Sequence, residues 1–107
     1  MIDYLKYKEE SILTIYNAII HELGIDYFEK IDYWDGDNCA IGFKREEKII
    51  YISTWNFRNL DATLMRYYAE FEIIDVISLE TLETKKILNA ATKDELVAEV
   101  VLFYRNK

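Results

Sequence analysis

The chain has 107 residues, 51% of them hydrophobic, and a net charge of −7 from 13 Lys and Arg against 20 Asp and Glu. That length supports one core rather than two, and the apolar share places the chain outside the composition of disorder. The acidic excess argues against a nucleic-acid binder, which needs cations to displace phosphate counterions, and favours approach to a basic partner.

No proline occurs and the three glycines are Gly24, Gly36 and Gly42, so no linker divides the sequence and residues 1–107 read as a single domain. The opening "MIDYLKYKEES" has no basic region followed by an apolar one, and no apolar run is long enough to span a bilayer. A lone cysteine cannot close an internal disulfide, so the expected setting is reducing and cytoplasmic.

In "SILTIYNAIIHELG", Ile12, Ile15 or Tyr16, Ile19 and Leu23 recur at helical spacing, with Ile20 widening the stripe. The pattern predicts a helix from about residue 9, with a start as early as Asp3 left open, and an end at Gly24. His21 falls roughly opposite Ile12 and Ile19 and reads as an exposed side chain rather than a ligand.

From Ile25 the period becomes two. Residues 27–34 read as a strand, followed by a second in which Cys39, Ile41 and Phe43 alternate with Ala40, Gly42 and Lys44. "KIIYIST" is apolar at successive positions, as a strand covered on both faces would be. In "MRYYAEFEI", Met65, Tyr67, Ala69, Phe71 and Ile73 share one face, and Arg66, Tyr68, Glu70 and Glu72 the other. "TKKILN" is the candidate for a fifth strand, so the count is four or five. Thr92 and Glu95 then have capping-box spacing at the start of a C-terminal helix. The expected class is α+β: an N-terminal helix, a mostly antiparallel sheet of four or five strands, and a C-terminal helix.

The stretch "YWDGDNCA" invites a calcium reading, with Asp35 first, Asp37 third and Glu46 twelfth in a loop. The sixth position, which needs glycine, is Ala40, and the residues beyond it alternate as a strand. Asp-Gly between two period-two segments is instead a hairpin signal. Successive reversals then bring Trp34, Asp35 and Asp37 to the same end of the sheet as Trp55, Arg58 and Asp61. The face carrying Tyr68, Glu70 and Glu72 begins nearby. Trp, Tyr and Arg are favoured at interface centres, so these nine residues form the candidate partner-binding surface. The competing expectation is that the indoles turn inward and cap the core.

No catalytic set is evident. Cys39 shares the face of Ile41 and Phe43 and reads as an inert buried thiol; no strained serine elbow, phosphate loop or Cys/His cluster occurs. Glu70 and Glu72 point to one side of a strand, as a Mg²⁺ site requires, but alternating glutamates are ordinarily a solvent face. No cofactor and no metal are expected.

With stretches such as "YISTWNF" and "RYYAEFEIID", this small acidic α+β chain resembles the bacterial immunity proteins of contact-dependent growth inhibition and related polymorphic toxin systems. The resemblance implies a role: one-to-one binding of a cognate toxin, often a nuclease with a basic cleft, inside the producing cell. It carries over no site residue, because those proteins share no signature. Alternatives are a small-ligand binder with a tyrosine-lined pocket between helices and sheet, and a metal-dependent enzyme using carboxylates.

Overall fold

Helix α1 (Glu10–Leu23) opens the computed structural model, which describes residues 8–32, 38–57 and 60–105. It buries Ile12, Ile15, Tyr16 and Ile19, the apolar stripe of the sequence. It begins at Glu10, and Asp3 lies outside the described residues. Glu9 is extended, with φ −63° and ψ 154°, and its N–H donates to the Asn38 carbonyl at 3.0 Å, so it is bonded outside the helix. At the other end Gly24 has φ +94° and donates its N–H to the Ile20 carbonyl at 2.7 Å, which ends the helix as a residue without Cβ can.

The strand expected over 27–34 is cut short. Residues Ile25–Tyr27 form a 3-10 turn, and among the described residues of the stretch Lys30–Asp32 (β1) joins the sheet. Tertiary packing overrides the period here. Phe28 turns into the core, with its ring centroid 4.9 Å from that of Phe43 and 5.2 Å from that of Tyr104. The Tyr27 carbonyl accepts from the Arg45 guanidinium at 2.5 Å. Trp34 and the rest of 33–37 lie outside the described residues.

Strands β2 (Ala40–Arg45), β3 (Lys48–Ser53), β4 (Tyr67–Ile74) and β5 (Thr81–Ala91) follow, and the sheet is an antiparallel meander in the order β1-β2-β3-β4-β5. The β2–β3 reversal falls at Glu46, whose φ of +54° is tolerated in a turn fastened by Glu29. That carboxylate accepts the Glu46 N–H at 2.9 Å and pairs with Lys44 at 2.8 Å. Strand β5 is longer than "TKKILN" and makes three register shifts against β4.

Register decides which face is buried. Phe43 lies opposite Ile50, and Ile50 opposite Phe71; Ile41 lies opposite Ile52, and Ile52 opposite Ala69. These residues form one cluster with α1 and with Leu96, Val100 and Tyr104 of helix α2 (Lys93–Arg105). Both helices therefore pack on the same face of the sheet. This corrects the expectation that "KIIYIST" is covered on both sides. Ile50 and Ile52 are fully buried, whereas Ile49 and Tyr51 are half-buried on the face away from the helices, opposite Glu72 and Glu70.

The capping box forms as the spacing predicts: Thr92 N–H donates to Glu95 Oε1 at 2.8 Å, and Glu95 N–H to Thr92 Oγ1 at 3.2 Å. The Thr92 N–H, first among the causes, holds the Glu95 carboxyl below its ordinary 4.5. A depressed acid contributes stability that is complete above its unfolded value and lost as pH falls through the folded one. Thr92→Ala should lower stability by about 1 kcal/mol in urea unfolding at neutral pH. Glu95→Gln should also destabilise at neutral pH, and the gap from wild type should close as the pH is lowered below 4.5. A gap unchanged by acid would show that the carboxylate does not hold the cap.

Candidate interaction surface

Strand β3 ends at Ser53, which lies opposite Tyr68 of β4. The Ser53 Oγ accepts the Trp55 N–H at 3.1 Å, and the Thr54 N–H donates to the Cys39 carbonyl at 2.8 Å. These bonds turn the chain into a 3-10 turn at Trp55–Phe57 beside the start of β2. The connection after β3 thus returns to the end of the sheet where β1 finishes and β2 begins. Trp55 is 56% exposed, so its indole does not cap the core. Leu60, Asp61 and Leu64 are exposed on the same connection, where the Leu64 N–H donates to the Asp61 carbonyl at 2.8 Å.

From this rim the open face runs along β4. Tyr68 donates its hydroxyl to the Glu70 carboxylate. That bond first, then burial and the Glu70 charge, push the Tyr68 phenol up to about 12. Glu70 lies between Tyr51 of β3 and Ile87 of β5, and Ile87 is exposed. Glu72 accepts from Thr81 Oγ1 at 3.2 Å and from Thr84 Oγ1 at 3.5 Å, which ties it to β5. At about 3.3 Å per residue it stands roughly 13 Å along the strand from Tyr68.

Of the nine expected residues, Trp55, Asp61 and Tyr68 are at the rim, Glu70 is next to it, and Glu72 is in the far half of the face. Trp34, Asp35, Asp37 and Arg58 lie outside the described residues. Arg66 leaves the group expected of it: it precedes β4, donates to the Met65 carbonyl at 2.9 Å, and acts electrostatically on Glu95 at the start of α2. The alternation of the strand does not extend to it.

Among the described residues, no group of three or more His, Cys, Asp and Glu is placed to hold a metal ion. Cys39 is buried and outside any disulfide, and His21 is exposed on α1. The hydroxyls of Tyr27, Tyr67 and Tyr104 donate to the carbonyls of Tyr104, Ser11 and Phe43 at 3.2, 2.8 and 2.5 Å. An open cleft of about 660 Å³ lies between the first turn of α1 and the start of α2, lined among others by Ser11, Thr14, Leu60, Met65, Tyr67 and Lys93.

Sequence reasoning passed over the β4–β5 connection. Residues 75–80 form a tight turn in which Val76, Ile77 and Leu79 are all exposed. A signal was present: Asp75 and Ser78 are turn-forming types, so the apolar residues beside them occupy turn positions.

Comparison with known protein families, curated protein sequences and solved structures gives no match for this chain.

The Tyr68–Glu70 pair can be read by titration. A phenol raised in the folded state favours folding fully below its ordinary 10.0, and that contribution is lost as pH climbs to about 12. Glu70→Gln should move the Tyr68 transition down towards 10.0, while Tyr67, raised to about 12 by burial, stays in place. Phenolate absorbance, with Tyr68→Phe to assign the transition, makes the measurement. An unmoved transition would mean that Glu70 is not its cause.

Proposed function

We propose that this chain is an inhibitory binding protein for a basic protein, and specifically an immunity protein that neutralises a cognate bacterial toxin, a nuclease, in a one-to-one complex in the cytoplasm. The observation that carries this reading is the exposure of Trp55 at the rim of an acidic, aromatic sheet face. A large indole is ordinarily withdrawn from water unless it serves a contact, and Trp is the residue most enriched at the energetic centres of interfaces.

The face supplies the two kinds of force that such binding needs. Asp61, Glu70 and Glu72, with the overall charge of −7, attract a cationic cleft over a Debye length of about 8 Å in physiological salt. Trp55, Tyr51, Tyr68 and Ile87 act only on contact and slow release. A nuclease cleft suits this surface because it is already built to receive an anionic chain flanked by stacking rings.

The test uses the full chain and a candidate nuclease toxin domain from its native host. Trp55→Ala should raise the dissociation rate about 30-fold, corresponding to about 2 kcal/mol, with little change in association. The triple change Asp61→Asn, Glu70→Gln, Glu72→Gln should lower the association rate about tenfold and flatten its salt dependence. Tight binding that survives both variants unchanged would place the interface elsewhere. No binding by wild type would remove the immunity reading.

A further inference from the structure

The turn between β4 and β5 departs from the usual polar composition of turns. Val76 is 58%, Ile77 91% and Leu79 57% exposed, and Leu82 just beyond is also exposed. Isolated surface apolar groups need no explanation, but a cluster at the tip of a hairpin does.

The display is held in place. Asp75 Oδ1 accepts the N–H groups of Ile77 and Ser78 at 2.8 and 2.9 Å. The Leu79 N–H donates to the Asp75 carbonyl at 2.8 Å, and the Asp75 N–H to the Glu80 carbonyl at 2.9 Å. Ser78 Oγ accepts the Glu80 N–H at 3.3 Å. Leu79 adopts φ +65°, a left-handed conformation that glycine or asparagine would take at less cost. Stability alone favours a polar turn with glycine at that position. The sequence has an apolar turn with a branched side chain there.

The charge around the tip narrows what it can meet. Asp75, Glu80 and Glu83 belong to the hairpin, and the Ile74 N–H bond to the Glu47 carbonyl at 2.7 Å brings the Glu46–Glu47 turn alongside. The nearby cations among the described residues are engaged: Arg45 with Glu46 at 3.8 Å, Lys48 with the Phe103 carbonyl at 2.5 Å, and Lys85 with Glu83 at 3.2 Å. An acidic collar repels an anionic lipid surface and complements an apolar pocket with a basic rim.

We propose that residues 75–80 are a preformed apolar plug that inserts into a hydrophobic pocket with a basic rim on the partner protein. The identity of that partner rests on the immunity reading. The plug itself is a separate anchor at the opposite end of β4 from Trp55, about 23 Å away at the ordinary rise of a strand. Because the turn is already ordered, little freedom is lost on docking, and its contribution resists salt.

The experiment measures toxin-domain binding to full-length variants at two salt concentrations, with thermal unfolding of each. Ile77→Ser should leave the melting temperature and association rate unchanged and raise the dissociation rate about tenfold at either salt. Leu79→Gly should keep or raise the melting temperature and still hasten dissociation, which a merely structural residue would not do. If Trp55→Ala weakens binding while Ile77→Ser leaves dissociation within about twofold of wild type, the plug is refuted and the immunity reading stands. If wild type does not bind the toxin, both fall. Co-sedimentation with anionic phosphatidylglycerol vesicles, or self-association, that is abolished by Ile77→Ser would assign the tip to a membrane or to a second copy and overturn the proposal.

Discussion

Tyr104 joins three parts of the molecule at one buried point, and the arrangement of the layers follows from it. Its hydroxyl donates to the Phe43 carbonyl of β2 at 2.5 Å, and its ring stands edge-on to Phe28 and Phe103. Its own carbonyl accepts the Tyr27 hydroxyl at 3.2 Å, and the adjacent Phe103 carbonyl accepts Lys48 Nζ at 2.5 Å. The last carbonyls of a helix have no partner within it, and here side chains from the sheet and the 3-10 turn provide them. With its last turn fixed in this way and its first turn capped directly after β5, α2 has one line to follow. It lies beside α1, and the opposite face of the sheet receives neither helix.

That asymmetry gives the open face its character. A strand facing water on one side ordinarily alternates apolar with fully polar residues. Here the outer positions mix Tyr51, Tyr68 and Ile87 with Glu70 and Glu72. Bonds within the face, Tyr68 to Glu70 and Thr81 and Thr84 to Glu72, orient the carboxylates without neutralising them. The charges stay available at long range, and the rings stay available on contact.

Much of the architecture was legible because the local signals agreed with the tertiary ones. The α1 stripe, Gly24, the alternation of β4 and the Thr92–Glu95 spacing each predicted an element that formed. The failures came where packing outweighed periodicity. Tyr27 and Phe28 continue a period-two pattern, yet their rings go to the aromatic cluster, and the strand loses its first half. The apolar run of β3 invited a two-sided reading because Ile49 and Tyr51 look like core residues in one dimension. For the candidate surface, the end of the sheet reached by Trp55 and Asp61 followed from counting reversals. The 13 Å offset of Glu72 did not, because alternation assigns a face but not a position along it. The apolar turn went unread for a related reason: pattern analysis expects apolar residues inside elements and attends little to those between them.

The register shifts of β5 have a consequence for how many molecules behave together. An outermost strand exposes a row of unpaired amides and carbonyls, and an even row of eleven residues is a template on which another sheet can grow. Three interruptions against β4, with Lys85 and Lys86 among them, break that row into short pieces that do not keep step with a straight neighbour. At the other margin, β1 spans Lys30–Asp32 among the described residues. The β5 border is therefore a poor template for a straight neighbouring strand, and growth of a second sheet from that side is disfavoured.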